Sequence, residues 1–227
     1  MKKVIISLMC AITVLSGCGN MSNLSKGSLI GGAGGAAVGA GVGALIGDGK
    51  GAAIGAAIGS VVGAGAGALI GNKMDKKAEE LAAIEGASVD TVLDVNNLKS
   101  IKVTFDSGIL FPLNGTALSD ASKDALKKFA TTMADMPETD LTIQGHTDNT
   151  GTRAVNDRIS LQRAESVSNY LQSCGMNSDR FVVEGLAYDF PVATNDTAEG
   201  RAQNRRVEIY ITANDQMFAE AEAEAAN

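Results

Sequence analysis

Asp140-Leu-Thr-Ile-Gln-Gly-His-Thr-Asp148, then Arg153-Ala-Val-Asn-Asp-Arg-Ile-Ser-Leu-Gln-Arg-Ala-Glu-Ser-Val-Ser-Asn-Tyr-Leu-Gln-Ser173, then Arg180-Phe-Val-Val-Glu-Gly185: these three stretches decide the fold. They read as a strand over 140–144, a helix over about 153–173 and a second strand near 180–185. Working upstream, a strand near 89–95, a polar turn at Asn96-Asn97 and a strand near 99–105 open the domain, with Ile101, Val103 and Phe105 alternating toward one face. Ser119 can cap a helix whose stripe is Leu126, Phe129, Ala130 and Met133, and Pro137 marks its end. Downstream lie a polar loop and a final strand over 205–212. Strands alternating with helices predict an α/β (α+β) two-layer sandwich.

The rest of the chain is built differently. Of 227 residues, 27 are glycine and none is tryptophan, and almost all the glycine excess falls between Gly27 and Gly71. The chain therefore reads as a mosaic, one domain with appendages. The formal charge is −7, and it would be −9 without Lys2 and Lys3, which argues against nucleic acid as a partner.

At the N-terminus, Lys2 and Lys3 precede an apolar run over 4–15, too short to span a bilayer and suited to a secretory leader. It ends in Leu15-Ser16-Gly17-Cys18, which resembles a bacterial lipobox. The resemblance implies cleavage before Cys18 and acylation of its thiol. The rival is an ordinary leader with a chance cysteine, against which stand the small residues just before Cys18. Cys10 would leave with the leader, so Cys174 remains a single thiol without a disulfide partner. Each buried methylene of an acyl chain contributes about 0.8 kcal/mol, so two or more chains anchor stably. Gly19 rather than Asp after the cysteine implies, by resemblance to known lipoproteins, sorting to the outer membrane. Polar residues over 20–28 form a tether.

From Gly31 to Gly71 a glycine recurs every four residues without a miss, and Val38-Gly-Ala-Gly-Val-Gly-Ala-Leu-Ile-Gly47 returns almost unchanged as Val62-Gly-Ala-Gly-Ala-Gly-Ala-Leu-Ile-Gly71. Asp48-Gly49-Lys50 lies between the two units and predicts a turn in a helical hairpin. Glycine costs a helix in water about 1 kcal/mol against alanine, so this helix needs lipid or a close partner, and glycine at this spacing opens a groove for one. The segment resembles a glycine zipper. A disordered linker is the rival, and the interleaved Ala, Val, Leu and Ile oppose it. Gly39-Ala-Gly-Val-Gly-Ala44 matches a dinucleotide fingerprint only loosely, with no strand before it. Met74, Ala78, Leu81 and Ile84 then predict a short connecting helix that stops at Gly86.

Phe105-Asp106, Gly145-His-Thr-Asp148, Asn156, Ile159-Ser160, Arg163-Ala164 and Gly200-Arg-Ala-Gln-Asn-Arg-Arg-Val-Glu-Ile209 together resemble the OmpA C-terminal domain shared with Pal and MotB, a βαβαβ-β fold. With the lipobox and zipper upstream, the whole chain is similar to YiaD-type OmpA-family outer-membrane lipoproteins. The expected organisation is a signal over 1–17, a lipidated tether over 18–27, a glycine-zipper hairpin over 28–72 and a connecting helix with the first strand over 73–99. The OmpA-like domain follows over 100–212, and an acidic Ala/Glu tail over 213–227 could be a frayed helix.

The resemblance implies non-covalent binding of peptidoglycan at the diaminopimelate of the stem peptide, whose free end carries an ammonium and a carboxylate. Asp148 would take the ammonium and Arg163 the carboxylate. The residues themselves agree. Arg163 lies four positions from both Ile159 and Val167, on or beside the apolar stripe of its helix, where an unpaired charge is costly. Asp148 precedes that helix, where its N-terminus favours a carboxylate. The alternative is that Asp148 and Arg163 pair with each other. By the same resemblance Phe105, Asp106, Asn156 and Leu161 lie near the ligand. Arg206 and Glu208 share one strand face and suit a structural salt bridge as well as a contact. His146, the only histidine, reads as a packed side chain rather than a metal ligand.

The expected activity is binding, not catalysis, with no cofactor and no metal. An enzyme would need an activated nucleophile or a metal-bound water, and neither constellation is present in the sequence. Peptidoglycan and the membrane, reached by the lipid anchor and also by the hairpin if it inserts, are the expected partners. A different reading makes the hairpin the functional part, membrane-inserting or oligomerising into a homo-oligomer, with the wall domain only positioning it.

Overall fold

The computed structural model describes residues 64–94, 96–112 and 115–226. The expected leader, lipidated Cys18, tether and hairpin up to residue 63 lie outside the described residues. Helix α1 (Ala64–Ala82) carries Gly65, Gly67 and Gly71 and runs without a break into the charged segment. The boundary expected after residue 72 thus falls inside one helix. Of the expected stripe, Met74 and Leu81 of α1 and Ile84 just beyond it are buried and Ala78 is partly buried, and Ile70 one turn earlier extends the buried face. Among the described residues no helix is long and apolar enough to cross a membrane.

Strand β1 (Ala87–Leu93) returns through a tight turn into β2 (Lys99–Asp106). The turn is held by the Asp94 carboxylate, which accepts from the backbone N–H of Asn96 at 2.8 Å and of Leu98 at 2.9 Å, with Asn97 in the left-handed region. A single turn, α2 (Ser107–Leu110), leads to α3 (Asp120–Thr132), which Ser119 caps by accepting from the Ser122 N–H. Then come β3 (Thr139–Gly145), α4 (Arg153–Ser173), a 3-10 turn (Ser178–Arg180) and β4 (Phe181–Gly185). The chain ends in α5 (Ala198–Asn204), β5 (Arg206–Ala213) and α6 (Asp215–Ala225).

The five strands order as β1-β2-β5-β3-β4, antiparallel except for the β3–β4 pair, which α4 joins as a crossover. Ile101, Val103, Phe105, Leu141, Ile143, Val207, Ile209 and Ile211 form one core with residues of α1, α3, α4 and α6. The α/β two-layer sandwich is therefore present, with helices on one face of the sheet. Between apolar neighbours, Lys102, Gln144, Arg206, Glu208 and Tyr210 project to the other face, because side chains alternate along a strand.

Two segments differ from the sequence reading. The polar loop before β5 contains α5, capped by the Thr197 hydroxyl, which accepts from the Gly200 N–H at 3.1 Å. The tail is not frayed: α6 is capped by Asn214 and buries Met217 and Ala221 completely enough to join the core. Those residues are four apart, and the helix they define packs beside α1, where Gly65 leaves room for Ala225.

Two glycines set the position of α4. A Cβ on Gly145 would stand 2.0 Å from the Ser160 carbonyl oxygen, and one on Gly185 2.5 Å from the Leu161 nitrogen. The helix backbone rests directly on the ends of the parallel pair. That contact fixes where the loop entering α4, and the side chains one and three turns into it, are held.

Candidate binding site

The site grows from residues 146–152, between β3 and α4. This loop is tied at each step: His146 N–H donates to the Arg206 carbonyl at 2.9 Å and Thr147 N–H to the Ala187 carbonyl at 2.8 Å. Asp148 Oδ1 accepts from Thr150 N–H at 2.9 Å, and buried Asn156 donates through Nδ2 to the Thr150 carbonyl at 3.0 Å. Thr152 caps α4. A loop so braced holds the Asp148 carboxylate in one place without relying on packing of its side chain.

Asp148 does not pair with Arg163. Its Oδ2 accepts instead from Arg205 Nη1 at 2.6 Å, in a pair whose side chains are 11% and 38% exposed. Burial pushes the Asp148 carboxyl up, but the Arg205 and Thr150 hydrogen bonds outweigh it and hold it below the usual carboxylate value.

Arg163 is buried, 6% exposed, on α4 between the core and the segment after α2. Its guanidinium lies 5.1 Å from the Phe111 ring centroid, and Nε donates to the Gly115 carbonyl at 3.1 Å. Among the described residues it forms no salt bridge. Burial lowers its pKa from the usual value, the charge of Arg205 lowers it further, and the charge of Asp148 opposes both. Asp148, Arg163 and Arg205 thus form one cluster with two cations and one anion.

The remaining expected site residues divide. Asn156 braces the loop that carries Asp148. Asp106 is exposed at the end of β2, in register with Arg206, and the next residue's N–H donates to the Arg205 carbonyl at 2.9 Å. Phe105 is a correction: it has no exposed surface and packs edge-on against Phe129 at 6.4 Å, because its strand position faces the helices. Leu161, two helix positions before Arg163 and so about 200° from it, has its backbone against Gly185 and is 39% exposed. The sequence reading missed Arg205 and Phe111. Alternation along β5 was the available signal for Arg205, since neighbours Arg205 and Arg206 must point to opposite sides.

Comparison with known proteins fits this geometry. Residues 110–205 match the OmpA family, and residues 1–75 match a YMGG-like Gly-zipper. The C-terminal domain is therefore similar to the OmpA family. The peptidoglycan-binding protein ArfA of Mycobacterium tuberculosis (strain ATCC 25618 / H37Rv) is 41% identical over 103 residues, 45% of this chain and 32% of ArfA. The probable lipoprotein YiaD of Escherichia coli (strain K12) is 40% identical over 110 residues, 48% of each chain. The match therefore spans half or less of either relative. Among solved structures, the cell wall anchor of the T6SS from Pseudomonas aeruginosa superimposes with a TM-score of 0.53 at 28% identity, covering 62% of this chain and 97% of that one.

The C-terminal domain holds a second charged cluster on the outer face of its sheet. Arg206 donates from Nε to Glu208 at 2.7 Å, from Nη1 to the Asn204 carbonyl at 3.2 Å and from Nη2 to the Phe190 carbonyl at 3.1 Å. The second Glu208 oxygen accepts from Tyr210 Oη at 2.8 Å. Burial pushes the Glu208 carboxyl up, and the Arg206 guanidinium, joined by His146 whenever that ring is protonated, more than reverses this, so it stays ionised. His146 is 2% exposed, its Nε2 3.6 Å from Glu208, and neither ring nitrogen has a hydrogen-bond partner among the described residues. Burial lowers its pKa below 6.5 and keeps it neutral. These groups border a cavity of about 350 Å³ beneath Phe190. Among the described residues no three His, Cys, Asp or Glu side chains gather to hold a metal.

Proposed function

We propose that this chain is an outer-membrane lipoprotein that binds peptidoglycan non-covalently through Asp148 and Arg163 and tethers the membrane to the wall. One observation carries the reading: a buried guanidinium with no carboxylate partner among the described residues, in a cluster with a braced carboxylate. A cation taken out of water is costly unless an anion meets it, so the cluster is completed from outside. The ligand that suits it has a carboxylate for Arg163 and an ammonium for Asp148 on one carbon, as the free end of diaminopimelate does. The match to the OmpA family, the peptidoglycan-binding name of ArfA and the lipoprotein name of YiaD support this reading. The lipobox and Gly19 support the outer-membrane anchor.

Two charge-assisted contacts of about 1.5 to 3 kcal/mol each, reduced by ordering costs, make a single attachment weak. Many anchored copies facing a repeating polymer supply avidity. Nothing in the cluster supports bond breaking: it has no nucleophile beside a base, and a binding module needs none. The test is co-sedimentation of the full chain with diaminopimelate-type wall sacculi, beside Asp148→Ala and Arg163→Ala. Wild-type pelleting without released muropeptides, lost in both variants, is the expected result. Retained pelleting in both variants removes the site, and released fragments remove the binding-only reading.

A further inference from the structure

In the unliganded domain both oxygens of the Asp148 carboxylate are engaged, one by Thr150 N–H and the other by Arg205 Nη1 at 2.6 Å. An oxygen can accept a second hydrogen bond, but with the Asp148 side chain only 11% exposed an incoming ammonium must crowd against the like-charged Arg205 guanidinium there. The Arg205 backbone cannot follow, since its N–H donates to the Arg201 carbonyl at 3.1 Å and its carbonyl accepts from Ser107. Its side chain, 38% exposed, can swing. Arg163 cannot: it is buried against Phe111, with Nε spent on Gly115.

We propose that Arg205 is a specificity-determining residue of this site, yielding Asp148 only to a ligand whose ammonium comes with a carboxylate on the same carbon. The inference rests on the peptidoglycan reading above and deepens it. A displaced guanidinium needs a new acceptor. A zwitterionic end brings one, a carboxylate that the forks of Arg163 and Arg205 share. A lone ammonium, such as a lysine side chain in the same stem position, brings none. It would also raise the net charge of the three-residue cluster from +1 to +2, whereas a zwitterion leaves it unchanged. The internal pair thus acts as a competitor that discriminates by charge pattern rather than by shape.

The experiment is calorimetric titration of the full chain with two stem tripeptides, one ending in meso-diaminopimelate and one in lysine. The native chain is expected to prefer the diaminopimelate peptide by about tenfold or more, the scale of one charge-assisted hydrogen bond. Arg205→Gln is expected to narrow that ratio to about threefold or less, by weaker diaminopimelate binding and stronger lysine binding. Arg205→Lys, which keeps the charge and loses the fork, should fall between. An unchanged ratio in Arg205→Gln overturns the proposal. Asp148→Ala and Arg163→Ala in the same series keep the two claims apart. If they retain full affinity, the site itself is misplaced. If they lose it while Arg205→Gln keeps the native ratio, only the role of Arg205 falls.

Discussion

Arg205 and Arg206 are neighbours in sequence and opposites in setting. Arg206 is 3% exposed, and its Nε, Nη1 and Nη2 each donate inside the domain to a carboxylate or a carbonyl that nothing outside contests. Among the described residues Arg205 makes one side-chain bond, at a half-exposed position, next to a buried Arg163 that has no acid of its own there. Burial alone does not separate the two clusters, because both contain buried charge. Saturation does. Around Glu208 the charges balance within the fold, so the cluster belongs to stability; around Asp148 they do not, and on our proposal a ligand completes that cluster. Glu208→Ala tests the closed side and should have the largest effect. It leaves Arg206 buried and unpaired, and about 3 to 5 kcal/mol of folding stability should be lost in urea titration. A loss below about 1 kcal/mol would erase the distinction.

The open side is sharpened by Arg163→Met, which keeps the aliphatic body and removes the uncompensated charge. Replacing a poorly paired buried charge with a hydrophobic residue is often neutral or stabilising, so melting should show a change within about 1 kcal/mol or a gain. Wall binding should nevertheless weaken by about 1.5 to 3 kcal/mol, roughly 10- to 150-fold, in sedimentation isotherms. A large stability loss would mean that Arg163 is structural, and the two clusters would then be of one kind.

How much of this was legible in the sequence follows from range. Strand and helix periods are local, so β2, β3, α4 and β5 fall close to where their patterns place them. Arg163 was legible too, since its spacing from Ile159 and Val167 puts it on a buried helical face. Its partners were not. That Asp148 meets Arg205 rather than Arg163 depends on a contact 57 residues away in the chain, which only the sheet order β2-β5-β3 creates. Phe105 was carried into the site by a motif, yet the alternation of Ile101, Val103 and Phe105 already assigned its ring to the core. The tail was missed because two apolar residues in an Ala/Glu run give too weak a stripe until α1 is there to receive them.

The closed cluster also contains a titratable group that the open one lacks. His146 is held neutral by burial, below the ordinary 6.5. A depressed folded-state pKa contributes stability that is complete above the unfolded value and is lost as pH falls through it toward the folded one. The native chain should therefore melt at a steady temperature above pH 6.5 and lose up to about 1.4 kcal/mol per pH unit just below it. Asp148 and Glu208, both held below ordinary carboxylate values, contribute losses only at about pH 4 and lower, so the windows do not overlap. His146→Gln should flatten the decline between pH 6.5 and 5 and leave the acid limb in place. A decline that survives the substitution would assign it to another group.

The smallest effect is the most discriminating. Arg205→Gln removes a salt bridge of 2.6 Å, shorter than the Arg206–Glu208 contact of 2.7 Å, and on distance alone the two should matter equally. The Arg205 side chain is 38% exposed, however, so water and salt screen its charge, and Asp148 keeps the Thr150 N–H when the guanidinium is gone. With one partner open to water, a pair of this kind contributes about 1 kcal/mol or less, and less still as ionic strength rises. Urea titration of Arg205→Gln should therefore show a loss within that range, nearly abolished at 1 M salt, while the loss in Glu208→Ala should persist there. If Arg205→Gln instead destabilises the chain as strongly as Glu208→Ala, the Asp148–Arg205 pair is part of the scaffold. A ligand could then displace it only by unfolding the loop that presents Asp148.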